Sequence, residues 1–467
     1  MKLVIKNGTI AQAGYVHDSG SGHAHDSGAG RAGDHAAERG NNHVHTVPNG
    51  QADIFIDNGI IAAIEEKIDL KSLGQAVDII DASGLTVLPG LIDAHCHLRD
   101  PGYEYKEDIE TGTASAALGG FTAVACMPNT DPTADNAQII KYIIDKAETS
   151  GHVAVYPIGA ITKGLLGEEL AEIGEIKFAG AVAISDDGNS VASPSMMKKA
   201  LLYSKVFDIP VISHCEDTDL ADGGDMNEGY VSMELGLRGI PSISESVQVA
   251  RDILISEYTG VPIHIAHVST EASVEIIRNA KRRGVNVTCE TCPHYFTLTD
   301  EACYGYDTNA KVAPPLALAS DVEAVKAGIA DGTIDIIATD HAPHHIDEKN
   351  VEFALAARGL VGFETAFGLA YTQLVLPGII TIGQLVEKMS LNPARLLKID
   401  DTGSGSIAVG RAANLTIVDL ERKYIVAPEN FASKSKNSPF GGMELTGAIM
   451  YVIAKGKAIV RQSILID

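Results

Sequence analysis

Between residues 85 and 339 the chain alternates two textures: short, largely apolar runs rich in β-branched residues, and longer stretches where apolar residues return every three or four positions. The apolar runs fall at 85–95, 122–127, 153–158, 180–184, 210–213, 262–266, 285–290 and 335–339. A strand that is apolar on both faces belongs to a buried parallel sheet, because a sheet with one wet face would alternate polar and apolar positions. The stretches between them, at 106–119, 135–149, 195–207, 244–259, 270–283 and 320–330, carry helical periodicity. Eight strand–helix units close a parallel sheet upon itself, so the pattern predicts an α/β fold, a (β/α)8 TIM-like barrel over 89–393. The flanks differ. Residues 2–10, 52–65, 406–419 and 446–461 have β character, with turn signals at Asp57-Asn58-Gly59, Gly410 and Lys455-Gly456. Both ends of the chain are therefore predicted to form one small β-sandwich domain, its parts being 1–88 and 394–467.

Residues 12–50 interrupt the first flank. They are rich in Gly, His, Asp, Ser and Ala, hold His17, His23, His25, His35, His43 and His45, and offer little apolar surface. Such a segment is predicted to be a disordered surface insertion. The rest of the chain is ample for a core, at 45% hydrophobic residues. A net charge of -25 argues against nucleic acid, which requires clustered Lys and Arg. No apolar run reaches bilayer-spanning length, and Met1–Gly8 reads as a strand rather than a signal peptide. Cys96, Cys126, Cys215, Cys289, Cys292 and Cys303 lack disulfide spacing, which predicts buried thiols and a reducing, cytoplasmic setting. Cys289 and Cys292 form a Cys-x-x-Cys with no second pair, too little for a structural zinc site.

Candidate chemistry sits where the predicted strands end. The first runs into His95-Cys96-His97, whose two imidazoles point the same way on a strand. The fourth ends in Ser185-Asp186-Asp187-Gly188, the fifth in Ser213-His214, the sixth in Ala266-His267, and the eighth in Thr339-Asp340-His341. A barrel gathers the C-terminal ends of its strands at one mouth. Four histidines and two carboxylates meeting there suit zinc or a similar divalent ion, one or two per chain. Asp187 is placed to bridge a pair, and Asp340 both to ligate and to carry a proton. That constellation points to metal-assisted hydrolysis, or its reverse, at an amide-like carbon.

Longer motifs carry a resemblance. They are Asp93-Ala94-His95-Cys96-His97-Leu98-Arg99-Asp100-Pro101-Gly102, Met127-Pro128-Asn129-Thr130, Ser185 to Gly188, Ser213 to Asp217, Ala266 to Ser269, Ala338 to His344, Gly362 to Phe367 and Gly410 to Asp419. In these the chain resembles the dihydroorotases of the amidohydrolase superfamily, in their bacterial single-activity branch, over 1–10 and from about 52 onward. The resemblance implies reversible, zinc-dependent ring closure of N-carbamoyl-L-aspartate to dihydroorotate, the third step of pyrimidine synthesis. It implies His95, His97, Asp187, His214, His267 and Asp340 as metal ligands, with Asp340 as general acid/base. Many relatives bridge their metals with a carbamylated lysine at the end of strand four; 181–187 has no lysine, so Asp187 takes that role. Substrate contacts are implied for His97, Arg99, Asn129, His344 and the pair Arg358-Gly359, while His341 and His294 read as supporting or packing residues. Implied partners are the small-molecule substrate and either a second copy or aspartate transcarbamoylase.

The chain departs from the family at one loop. Where Asn-Pro-Pro-Leu-Arg is usual it has Ala313-Pro314-Pro315-Leu316-Ala317, and where Phe-Gly is common it has Arg358-Gly359. One lost hydrogen bond to a charged group weakens binding by roughly 1.5–3 kcal/mol, so Arg358 is read as a replacement donor. The departure leaves two further readings open: another cyclic amidase of allantoinase or hydantoinase type, or a non-catalytic partner of aspartate transcarbamoylase. The missing lysine counts against the first, and the six retained ligand positions against the second.

Overall fold

The computed structural model describes residues 2–13, 50–74 and 77–466. The six histidines of the predicted insertion lie outside them. In chain order the strands are β1 (Lys2–Ile10), β2 (Gln51–Asp57), β3 (Ile60–Glu65), β4 (Val77–Asp81), β5 (Thr86–Pro89), β6 (Leu91–Cys96), β7 (Phe121–Cys126), β8 (Ala154–Gly159), β9 (Ala183–Ser185) and β10 (Val211–Ser213). There follow β11 (Met226–Asn227), β12 (Gly239–Ile240), β13 (Ile263–Ile265), β14 (Val287–Thr291), β15 (Ile336–Ile337), β16 (Leu415–Ile425), β17 (Glu444–Ala454), β18 (Lys457–Arg461) and β19 (Ile464–Leu465).

Eight of these, β6 to β10 and β13 to β15, form one sheet in sequence order with every pairing parallel. The sheet closes where its last strand meets its first. Cys96 bridges His341 in parallel, the Asp340 N–H donates to the His95 carbonyl at 3.0 Å, and the His97 N–H donates to the His341 carbonyl at 2.8 Å. The barrel predicted from the apolar runs is the one found. Every residue of β6 and β7 is buried, as a strand covered on both faces requires.

The predicted helices form as Ile109–Leu118, Ala137–Ser150, Pro194–Phe207, Ile243–Thr259, Glu271–Arg282 and Ala319–Ala330. Their starts are set by side chains that accept otherwise unpaired first-turn N–H groups: Asp108 from Thr111, Asn136 from Gln138 and Ile139, and Thr270 from Ser273.

Both ends of the chain build the second sheet, in the order β19-β18-β17-β16-β5-β1-β2-β3, with β4 also paired to β1. It folds as a sandwich over its own core, which includes Leu3, Ile5, Ile54, Ile61, Ile417 and Ile453. The predicted turns form: Asn58 and Gly59 (φ 49° and 85°), and Lys455 and Gly456 (φ 50° and 78°), are two-residue hairpin loops. One predicted strand, 85–95, is in fact two. β5 belongs to the terminal sheet, pairing with β1 and β16, and β6 opens the barrel. The joint is Gly90, where a Cβ would lie 2.2 Å from the Thr122 hydroxyl. Among the described residues no helix is long and apolar enough to cross a membrane. All six cysteines are unpaired and buried.

Candidate active site

The barrel brings all six predicted ligands to the mouth formed by its C-terminal strand ends. Asp187 is their hub: its carboxylate lies 3.3 Å from His95 Nε2, 3.4 Å from His97 Nε2, 3.3 Å from His214 Nδ1 and 3.4 Å from His267 Nε2. Asp340 Oδ1 lies 3.1 Å from His97 Nε2 and 3.6 Å from His95 Nε2. Neighbouring Asp186 faces elsewhere, accepting from the N–H groups of Ile161 and Thr162 at 2.8 and 3.0 Å. Arg99, His267 and Asp340 hold left-handed backbone angles (φ 62°, 34° and 46°). Each costs about 1–3 kcal/mol in a residue other than glycine, a strain that clusters at functional sites.

The donor set fits a divalent cation. His95–Asp187–His267 and His95–His97–Asp340 each bring three ligand atoms within 4.8 Å of one another. His95 Nε2 is buried among them with no hydrogen-bond partner. His214 Nδ1 and His267 Nε2 stand 2.7 Å apart, two ring nitrogens facing the same carboxylate. Burial acts to raise the Asp187 carboxyl, yet His95, His214 and His267 hold it well below the usual range. Burial likewise opposes charge on His95 and His214, and the adjoining carboxylates raise both. These are proton-holding attractions that a cation would take over, so ion uptake would release protons.

Two supporting contacts set the ring tautomers. His97 Nδ1–H donates to Asn129 Oδ1 at 2.9 Å, which turns Nε2 toward the carboxylates. His95 Nδ1–H donates to Glu290 Oε1 at 2.6 Å, and Glu290 Oε2 faces His264 Nε2 at 3.2 Å. Carboxylates behind ligand histidines orient the ring and raise its basicity. Sequence reading passed over Glu290 and His264; the available signal was a carboxylate at the end of the run Val285-Asn286-Val287-Thr288-Cys289-Glu290. His341 packs rather than faces the cluster: it is stacked 4.0 Å from Phe363 and accepts from the Gly362 N–H. Burial holds neighbouring His294 down to about 4, so it is neutral at ordinary pH.

The predicted substrate-facing residues form a rim beside the cluster. Arg99 Nε donates to the Pro343 carbonyl at 3.2 Å, and its Nη2 lies 3.3 Å from His344 Nε2. Gly359 (φ 139°) passes so close that a Cβ would lie 3.1 Å from His344 Cδ2 and 2.7 Å from the Ala342 carbonyl. Arg358 accepts from His344 Nε2 through its carbonyl at 2.8 Å. Its guanidinium reaches the Gly224 carbonyl and stands 3.8 Å from Glu216 Oε1, a buried oxygen with no hydrogen-bond partner. Glu216 and Ala317 line one cleft, so the arginine at 358 meets a carboxylate beside the position where the family's loop arginine is replaced.

Asn437 holds this rim from the far end of the chain. Its Nδ2 donates to the Ala342 and Gly359 carbonyls at 3.3 and 3.0 Å, its Oδ1 accepts from the His344 N–H at 3.2 Å, and its carbonyl accepts from Val361. Asn437→Ala is expected to raise KM for the substrate about tenfold with a smaller change in kcat, because it leaves buried carbonyls unpaired and frees His344. Steady-state kinetics check it, and an unchanged KM counts against the clamp. A separate cavity of about 880 Å³, lined by Thr122, Tyr156 and Lys455, lies at the opposite strand ends of the barrel against the terminal sheet.

Comparison with known proteins agrees with this geometry. A family model described as "Dihydro-orotase-like" matches residues 84–273. The dihydroorotase of Acetivibrio thermocellus is 64% identical over 421 residues, covering 90% of this chain and 97% of that protein. That of Ruminiclostridium cellulolyticum is 60% identical over 414 residues, covering 89% and 95%. That of Geobacter metallireducens is 53% identical over 410 residues, covering 88% and 95%. Among solved structures, the L-hydantoinase of Arthrobacter aurescens superposes with a TM-score of 0.83 at 24% identity, covering 100% of this chain and 97% of that one. At such identity the likeness shows the fold alone. With relatives this similar along nearly their whole length, the chain belongs to the dihydroorotase family of metal-dependent cyclic amidohydrolases.

Proposed function

We propose that this chain catalyses the reversible closure of N-carbamoyl-L-aspartate to dihydroorotate and water, a step of pyrimidine synthesis, with one or two zinc ions. The observation that carries it is the Asp187 hub: one carboxylate within 3.4 Å of four histidines from three strand ends, where no lysine stands. Imidazole and carboxylate donors suit zinc. When bound, a divalent cation there supplies Lewis acidity and makes water acidic enough to ionise near neutrality. In the closing direction a C–N bond forms between the ureido nitrogen and the side-chain carboxyl carbon, and a carboxyl oxygen departs as water. Asp340 takes one proton from the attacking nitrogen and delivers it to the departing oxygen, a second proton drawn from solvent completes the water, and the opening direction runs the same transfers backwards. Arg99 and His344 lie together on the rim, where a fork of donors can hold the substrate carboxylate. A reducing compartment such as the cytoplasm fits six unpaired thiols.

Turnover of dihydroorotate, hydantoin and allantoin by the purified chain, before and after chelation, tests the reading. Dihydroorotate is expected to be the preferred substrate, with activity lost on chelation and restored by zinc. Undiminished turnover without metal, or preference for hydantoin or allantoin, would overturn it. Arg358 belongs to the same proposal. Arg358→Ala is expected to raise KM for dihydroorotate tenfold to a hundredfold, the cost of one charge-assisted hydrogen bond. An unchanged KM would assign the arginine to Glu216 and Gly224 alone.

A further inference from the structure

Beside the hub lies a second kind of donor group. Cys292, His294 and Asp340 bring a sulfur, a ring nitrogen and a carboxylate oxygen within 4.8 Å of one another. Cys292 is 0% exposed, His294 1% and Asp340 8%, and His294 Nε2 is buried with no hydrogen-bond partner. The two other three-residue groups at this mouth contain only nitrogen and oxygen donors. Cys292 and His294 come from the turn after β14 and adjoin the hub through Asp340, the one residue this group shares with it.

We propose that Cys292, His294 and Asp340 form a separate site for a thiophilic divalent cation, and that its occupation inhibits the enzyme by tying down Asp340. Soft thiolate donors select soft ions, so this site discriminates where the histidine–carboxylate hub does not. Binding is an exchange without redox change: the Cys292 S–H bond breaks, a sulfur–metal bond forms, and the proton leaves to solvent. With a carboxylate oxygen committed to that cation, Asp340 is no longer free to take up and return a proton. The inhibition rests on the role proposed for Asp340; the binding does not.

The test uses the zinc-loaded full chain titrated with cadmium. Expected are one cadmium per chain added without release of zinc, a near-ultraviolet thiolate-to-cadmium absorption band, and at least a tenfold fall in turnover of dihydroorotate. Cys292→Ser should show no band, bind cadmium about tenfold or more weakly, and keep its turnover at the same cadmium concentration. Should that variant fail to fold, X-ray absorption at the cadmium edge of the unaltered chain counts sulfur neighbours directly: one is expected, and none would overturn the site. Zinc displaced in place of cadmium added, or the same band and inhibition in Cys292→Ser, would also overturn it. A chain that binds cadmium through sulfur but never turns over dihydroorotate would sink the proposed activity and leave the site standing.

Discussion

Asp340→Asn is expected to lower turnover of dihydroorotate by about a thousandfold, inside the 10²–10⁴ range of a positioned general acid/base, while the barrel stays folded. Asparagine has the same shape and can keep the backbone bond from residue 340 to the His95 carbonyl, 3.0 Å in the native chain. It can also still meet His97 Nε2, which stands 3.1 Å from Asp340 Oδ1. What it loses is the ability to take up and return a proton. Burial acts to raise the Asp340 carboxyl, but the His97 contact, with the charges of His95, His97 and His267, holds it below the ordinary range. The aspartate is therefore ionised at neutral pH and ready to accept. The sign for stability follows: a depressed carboxyl adds stability above its unfolded pKa, and that contribution is lost as pH falls through the folded one. The variant should then lose part of the acid sensitivity of the metal-free chain. Rates, bound metal and thermal unfolding measured together decide the matter. Activity within tenfold of the native chain, with metal retained, would remove Asp340 from proton transfer.

How legible this site was depends on the distance over which each part is specified. The predicted metal-ligand positions sit at the ends of apolar runs, so local pattern located His95, His97, Asp187, His214, His267 and Asp340, and the barrel rule brought them together. Asp186 and Asp187 follow the same strand and part only in space, where Asp186 serves the backbone of Ile161 and Thr162 and Asp187 faces the histidines. Glu290 was hidden because it follows Asn286 and Thr288 on the polar side of an alternating run and reads as one more polar strand residue. Asn437 left no local signal. Its partners at 342–344 and 359–361 lie some eighty to ninety-five positions away, in a stretch of Ser, Lys and Asn that reads as ordinary loop. The division of 85–95 at Gly90 depended on which sheet each half joins, a fact of tertiary pairing. The helix Ile173–Ala179 was missed because seven residues are too few to show a period.

Asp187→Ala is expected to lower metal affinity by at least about a hundredfold, the upper end of what a single supporting partner contributes, because this carboxylate faces four ligand rings at once. The loss is electrostatic before it is coordinative. His95, His214 and His267 surround Asp187, and its charge, with that of Glu290 at His95 and of Glu216 at His214, raises these two rings against a burial that opposes their protonation. Without it, the rings face one another across a dry gap with no carboxylate between them, His214 Nδ1 and His267 Nε2 being only 2.7 Å apart. A cation would then meet ligands but no bridging negative charge, and a pair of cations would repel across the space that the carboxylate had occupied. Asp187→Asn separates these effects, since it keeps the volume and one oxygen while removing the charge; it should fall nearly as far as alanine. Metal content after dialysis, with competition against a chromogenic chelator, measures both variants. Asparagine holding metal as well as the native chain would show that the hub acts through its oxygen geometry, and would leave the missing lysine of this strand without the substitute argued for it.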